Sequence, residues 1–342
     1  MNNGIISTTE KSIFYRLTAL WIFVEAFAGG ILHGLKIPIT GLMIGSAAVI
    51  CICLLAGSTT SKNSILKATL LVALFKMLLS PYSPPTAYIA VAFQGLLGSI
   101  LLSKKSWHWI MFPVFGCIAL LESAFQRLLL MWLVYGKDFW TALNESLNRF
   151  FSMHQFQDIL FKIAFLYTLL HIVLGFFAGW IAYLILKKAN GWHIAQRYSI
   201  ASHSNYTTAN IIINNKKKKK LHVLLWVMFG ILILFYLQAL LYPHQAFLSK
   251  QLVLWVIIRA LIIVLIWYLI IGPLFNRWLK QWLDKKNANK QSDIEMISTI
   301  LPETIQHIKA AWQSTNNLGF IQRLKTTLKI IITHTLFQPI HE

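Results

Sequence analysis

Residues 40–57 read TGLMIGSAAVICICLLAG, eighteen consecutive positions without a charged side chain. An α-helix of that length spans about 27 Å, close to the roughly 30 Å thickness of bilayer hydrocarbon. The stretch therefore predicts a transmembrane helix, and further long apolar blocks lie before and after it. We expect an all-α, polytopic membrane protein.

The composition agrees with this assignment. Of 342 residues, 57% are hydrophobic and only 12% are charged, about half the charged fraction of a typical soluble domain. This excludes a soluble enzyme and a soluble nucleic-acid binder from the expected classes. The formal net charge is +20, but the basic residues cluster at the edges of apolar blocks. There they set topology and contact anionic lipids, so we expect no nucleic-acid partner.

Eight spans are predicted, six in residues 1–188 and two in residues 221–276. They are 14–34, 40–57, 66–81, 86–103, 109–135, 159–187, 221–242 and 252–275. With the N-terminus inside, the cytoplasmic loops carry most of the Lys and Arg residues, including Lys216 to Lys220. The positive-inside rule therefore predicts cytoplasmic N- and C-termini, and we expect the bacterial cytoplasmic (inner) membrane.

Three further segments complete the predicted organisation. The helical spacing of aromatic and leucine residues in 136–158 indicates an amphipathic segment at the outer interface. Residues 189–220 form a basic cytoplasmic linker between the six-helix domain and the two-helix hairpin. Residues 277–342 form a cytoplasmic tail, in which helices 295–312 and 318–337 each carry one apolar face. These tail helices either lie flat on the inner leaflet or dock a partner.

Ionisable and amide side chains inside the predicted spans are the candidate site residues, because such groups are costly in hydrocarbon. In the predicted topology, several of them converge on the outer half of the six-helix domain. They are Lys76, Gln94, Glu122, Gln126, Arg127 and His33. Two cations with one central carboxylate favour a ligand that carries a carboxylate or phosphate group. The alternative is a salt bridge between Glu122 and Lys76 that only ties helices together.

Catalytic chemistry has little support in the sequence. No phosphate-binding loop or zinc-protease motif occurs, and Cys51, Cys53 and Cys117 lie in apolar segments without metal-ligand spacing. We therefore expect no metal and no cofactor in this chain. An enzyme acting on lipid through Glu122 or His33 is the third alternative, behind a binding protein and a structural subunit of a membrane complex.

Small residues beside Glu25 in the first span suggest a helix-packing face. Ala26 and Gly30 are four positions apart, a spacing that lets another helix approach closely. We predict this face as a partner interface.

The organisation resembles the substrate-binding S component of energy-coupling factor (ECF) transporters. Residues 37–45 (IPITGLMIG) and 83–88 (SPPTAY) are similar to loops of that group. The second half resembles a shortened T component, because 301–303 (LPE), 307–311 (HIKAA) and 323–325 (RLK) are similar to its coupling helices. The chain departs from the T component in having AWQS at 311–314, where an Ala-Arg-Gly signature is usual.

The resemblance implies an uptake component for a small anionic or vitamin-like solute, either a fused S–T protein or an S component with an extra anchoring hairpin and tail. Partner subunits would bind and hydrolyse ATP, and a separate transmembrane partner is a further expectation. Span 1 would slide against that partner. The residues implied at the tail interface are Ile308, Ala311, Trp312 and Arg323.

Overall fold

The computed structural model describes residues 2–34, 39–61, 63–80, 83, 85–150, 159–189, 250–274 and 288–337, with isolated positions at 230, 234, 237–238, 240–241 and 277. The predicted linker beyond residue 189 and most of predicted span 221–242 lie outside the described residues. Every regular element within the described ranges is helical, which confirms the all-α prediction.

Ten α-helices occur in the described part of the chain. They are α1 (Asn2–Ile22), α2 (Gly29–Gly34), α3 (Thr40–Ser58), α4 (Ser64–Leu79), α5 (Pro85–Leu101), α6 (His108–Phe150), α7 (Ile159–Lys188), α8 (Lys250–Ile266), α9 (Ala288–Ser314) and α10 (Phe320–Phe337). Two π-helical segments, Phe23–Ala28 and Trp267–Ile271, follow α1 and α8. Helices α9 and α10 occupy the region where the two tail helices were predicted.

Among the residues that the structure describes, three helical segments are long and apolar enough to cross a membrane. They are Thr40–Ser58, His108–Lys137 and Leu160–Lys188, with shorter apolar helices at Thr86–Leu101 and Leu254–Ile263. These segments support a membrane protein with transmembrane helices. The count of eight spans and the orientation of the termini stay predictions.

Helix α6 continues beyond the end of its predicted span at residue 135. It breaks at Gly136, whose φ of 74° lies in the left-handed region, where glycine has no side chain to clash. Residues 137–150 then resume the helix, within the segment for which aromatic spacing predicted an amphipathic helix.

The described residues fall into two compact units. The first comprises those within 2–126, 167–189 and 288–337, and the second comprises those within 127–166 and 230–277. In the first unit, α1 packs against α3, α4, α9 and α10. Its side chains Leu17, Trp21 and Ile22 lie fully in the core. The tail helices therefore share a hydrophobic core with the first span.

Glycines bring α6 and α7 into close contact inside the first unit. A Cβ on Gly116 of α6 would overlap the backbone of Gly175 of α7, and a Cβ on Gly179 would overlap the backbone of Phe112. Gly175 and Gly179 are four positions apart, so α7 presents a small-residue face of the type that membrane helices use for close packing.

Candidate functional site

A buried ion pair joins the first and third apolar segments. Nζ of Lys76, in the last turn of α4, lies 2.5 Å from Oε2 of Glu25, and each side chain is only 5% exposed. The salt bridge of Lys76 therefore goes to Glu25, and not to Glu122 as the structural alternative had it. Glu25 comes within reach because the segment that carries it packs against α4.

The backbone around Glu25 is unusual. Phe23–Ala28 is π-helical inside an otherwise continuous helix, so its backbone hydrogen bonds join residues five apart and not four. Such π segments occur frequently at functional sites. The ring of Tyr88 on α5 adds a cation–π contact, with its centroid 5.9 Å from Nζ of Lys76. Three helical segments thus converge on one buried cation.

Gln94 of α5 is a second buried polar group. Its Oε1 has no hydrogen-bond partner among the described residues, although buried polar atoms nearly always have one. Gly45 of α3 packs beside it, because a Cβ there would lie 2.7 Å from Cδ2 of Leu120 and 3.7 Å from Nε2 of Gln94. Oε2 of Glu122 on α6 is likewise buried without a described partner.

The other predicted pocket residues are distributed as follows. Gln126 is partly buried on α6, at the edge of the first unit. Arg127, also partly buried, belongs to the second unit. His33 lies in α2, and its side chain is outside the described residues. The structure thus groups Lys76 with Glu25 and Tyr88, two residues that sequence reasoning had not placed in the pocket.

The predicted sliding face of span 1 packs within the chain. Ala26 is buried in the core, and a Cβ on Gly30 would lie 3.4 Å from Oγ of Ser80, just after α4. The small residues at 26 and 30 therefore accommodate the chain's own neighbouring helices.

Polar contacts hold the tail helices α9 and α10 against α1 and α4. The hydroxyl of Tyr15 donates to Oδ1 of Asp293 at the start of α9, and Nζ of Lys67 lies 2.8 Å from the same oxygen. Nη2 of Arg16 lies 3.9 Å from Oε1 of Glu303. Its Nη1 donates to the carbonyl oxygen of His334 on α10 at 3.3 Å.

Beside Arg16, three potential metal ligands meet. Glu303 and His307 are one turn apart on α9, and Nε2 of His307 lies 3.4 Å from Oε1 of Glu303. His334 of α10 faces them, with its ring centroid 3.6 Å from that of His307. One ligand atom from each residue fits within a set no more than 4.8 Å across.

The environment fixes the charge of this cluster. Burial, together with the charges at His307 and Arg16, lowers the pKa of His334 to about 3, so its imidazole is neutral at pH 7. The hydrogen bond from His307 lowers the pKa of the Glu303 carboxyl in spite of partial burial, and the charge of Arg16 acts in the same direction. Glu303 is therefore an ionised carboxylate.

The predicted tail-interface residues have different surroundings. Ala311 is fully buried, and Ile308 is partly buried beside the cluster of Glu303, His307 and His334. Arg323 stacks on Trp312, with the guanidinium carbon 3.8 Å from the ring centroid, and donates to the Trp312 carbonyl oxygen at 2.8 Å. The solvent-facing apolar surface lies elsewhere on α10. We call it the α10 outer face; it consists of Phe320, Ile321, Leu324 and Leu328.

No family description, curated protein or solved structure matches this chain. The His307 cluster was missed from sequence, although the Glu303–His307 spacing of four residues was a readable sign of two ligands on one helix face.

Proposed function

We propose that this chain is an uptake component of the bacterial cytoplasmic membrane that binds a small anionic or vitamin-like solute from the outer side and works with partner ATPases. The observation that supports this proposal is the buried pair of Lys76 and Glu25. In the proposed eight-span topology, with both termini cytoplasmic, Lys76 lies toward the outer side.

The pair is suited to bind an anionic solute in place of the Glu25 carboxylate. Burying two charges gives little net stability even when they pair well, whereas ionisable residues inside a membrane are usually functional. A carboxylate or phosphate of the solute would replace the Glu25 carboxylate on Lys76 through charge-assisted hydrogen bonds. Gln94, with its unpartnered Oε1, would accept a hydrogen bond from a donor on the solute.

By the resemblance to ECF transporters, the energy source in this proposal is ATP hydrolysis by partner subunits. Partner ATPases, and a separate membrane subunit, would drive the movement of the six-helix domain. Because the tail helices share a core with α1, a force on the tail would reach the segment that carries Glu25.

The test compares two forms of the full chain purified in mild detergent from native membranes. One is the wild type, and the other is the double variant Glu25→Met/Lys76→Met, which removes both charges together and should keep the fold. Mass spectrometry of retained proteins and small molecules should find ATPase subunits with both forms and an anionic solute with the wild type alone. A solute that the double variant retains equally would refute the site assignment.

A structural or assembly subunit of a membrane complex is the second candidate, and the α10 outer face favours it. Ile321 is 80% exposed, and its three neighbours on that face are also exposed. Exposed apolar patches mark contacts with proteins or membranes. Under this proposal, Ile321→Ser/Leu324→Ser should release partner proteins, and the Glu25/Lys76 double variant should behave as the wild type. Deleting the whole tail is a poorer test, because Ile297 and Leu301 of α9 belong to the core.

A further inference from the structure

The cluster of Glu303, His307 and His334 has the composition of a transition-metal site. Imidazole nitrogen and carboxylate oxygen are both ordinary ligands of Zn²⁺, and two histidines with one carboxylate plus water form a recurrent four-coordinate set. Glu303 and His307 are one turn apart on α9. His334 comes from α10, so a bound ion would join the two tail helices.

A second observation, separate from the composition of the cluster, is that each histidine ring has one ring nitrogen without a hydrogen-bond partner among the described residues. Nδ1 of His307 and Nε2 of His334 are buried, and neither has a hydrogen-bond partner among the described residues. Leaving a buried polar atom unsatisfied costs about 1–3 kcal/mol, so native structures rarely keep two together. A metal ion that takes up ring nitrogens would remove part of this cost.

The distances allow coordination after a small adjustment. With metal–nitrogen bonds of about 2.0 Å, ligand atoms of a tetrahedral site lie about 3.3 Å apart. The present ligand atoms lie within 4.8 Å of one another, so side-chain rotations that move them by about 1.5 Å at most suffice.

Arg16 opposes a cation here, and its contacts explain how it would coexist with one. Its Nη2 lies 3.9 Å from the Glu303 carboxylate, and its Nη1 is bound to the backbone oxygen of His334. The carboxylate thus lies next to the guanidinium while the two rings face each other. Repulsion between the Arg16 guanidinium and a bound cation would weaken metal binding. It favours a single ion held by the rings of His307 and His334.

We propose that Glu303, His307 and His334 bind one divalent transition-metal ion, with Zn²⁺ as the best match, and that this ion locks α10 onto α9 beside Arg16 of α1. The site is independent of the proposed transport function. Metal occupancy would set how firmly the tail is held against the first span.

The experiment uses the full-length chain in detergent, purified through a tag without histidine and stripped with EDTA. After dialysis against Zn²⁺, elemental analysis should find one ion per wild-type chain. His307→Gln/His334→Gln should weaken binding by at least about tenfold, since losses outside the ligand shell already cost that much. The control His193→Gln, in the predicted linker, should bind as the wild type does.

A second measurement does not depend on how the variants fold. Co²⁺ added to the stripped wild-type chain should give the intense ligand-field spectrum of a four-coordinate site, and Zn²⁺ should abolish that spectrum by competition. Wild-type Zn²⁺ binding no tighter than that of the double variant, or a Co²⁺ spectrum identical to that of the aquo ion, would overturn the proposal.

Discussion

Replacing Glu25 and Lys76 singly and together tests whether the buried pair is a coupled unit. The perturbations are Glu25→Met, Lys76→Met and the double variant. Methionine suits both positions because its unbranched, flexible chain approximates the length of either side chain and fills irregular space. Each single change leaves one charge buried without its partner, while the double change leaves none.

The expected magnitudes follow from the burial of the pair. Both side chains are 5% exposed, so an abandoned charge has little access to water. Breaking one side of a buried pair costs about 3–5 kcal/mol, whereas replacing both with apolar groups is often neutral or stabilising. We therefore expect each single variant to lose about 3–5 kcal/mol of unfolding free energy and the double variant to lie within about 1 kcal/mol of the wild type. The coupling free energy would be several kcal/mol.

The assay is reversible unfolding in mixed detergent micelles, in which a denaturing detergent is titrated and helix content is followed by circular dichroism. The control is Leu78→Met, a change at an exposed position two residues further along α4, which should shift the midpoint little. Additive losses, with the double variant as unstable as the sum of the two single variants, would refute the reasoning. They would mean that Lys76 and Glu25 do not stabilise one another in the folded protein.

Three further outcomes are expected. Gly175→Ala should destabilise the chain by about 1–3 kcal/mol through overpacking against α6. The control Gly41→Ala, with open space around it, should be neutral or stabilising by up to about 1 kcal/mol. Equal effects of the two variants in detergent unfolding would argue against the close contact of α6 and α7. Asp293→Asn should speed amide hydrogen exchange in α9, because it weakens the contacts to Tyr15 and Lys67; unchanged exchange would show that these contacts do not hold the tail. Ile321→Ser/Leu324→Ser should change unfolding free energy by less than about 0.5 kcal/mol per site and reduce co-purification of partner proteins; a large loss of stability would instead place these side chains in a core.

Local patterns explain why much of the fold was predictable. The uncharged run 40–57 needed only its own length and composition to predict a helix, and α3 covers Thr40–Ser58. The amphipathic spacing within 295–312 and 318–337 similarly anticipated α9 and α10. Neither pattern revealed that Ile297 and Leu301 of α9, with Leu336 of α10, share a core with α1 while the α10 outer face stays exposed, because periodicity shows that a face is apolar but not what covers it.

The candidate site was predictable only in part. Lys76 and Gln94 were singled out because polar groups inside apolar segments are costly, and both are buried. The alternative of a structural salt bridge paired Lys76 with Glu122, near the middle of span 5, whereas its partner in the structure is Glu25. The π-helical segment that carries Glu25 has no clear signature in the sequence.

By itself, the sequence determined the helical class of the chain and the segments that are apolar enough to cross a membrane, because both depend on the length and polarity of continuous segments. Tertiary structure alone decided which charges meet. Glu25 and Lys76 are 51 positions apart, and His334 reaches Glu303 and His307 only because α10 folds back on α9. Such contacts depend on how helices pack, and at Gly116, Gly175 and Gly179 that packing rests on the absence of a single carbon atom.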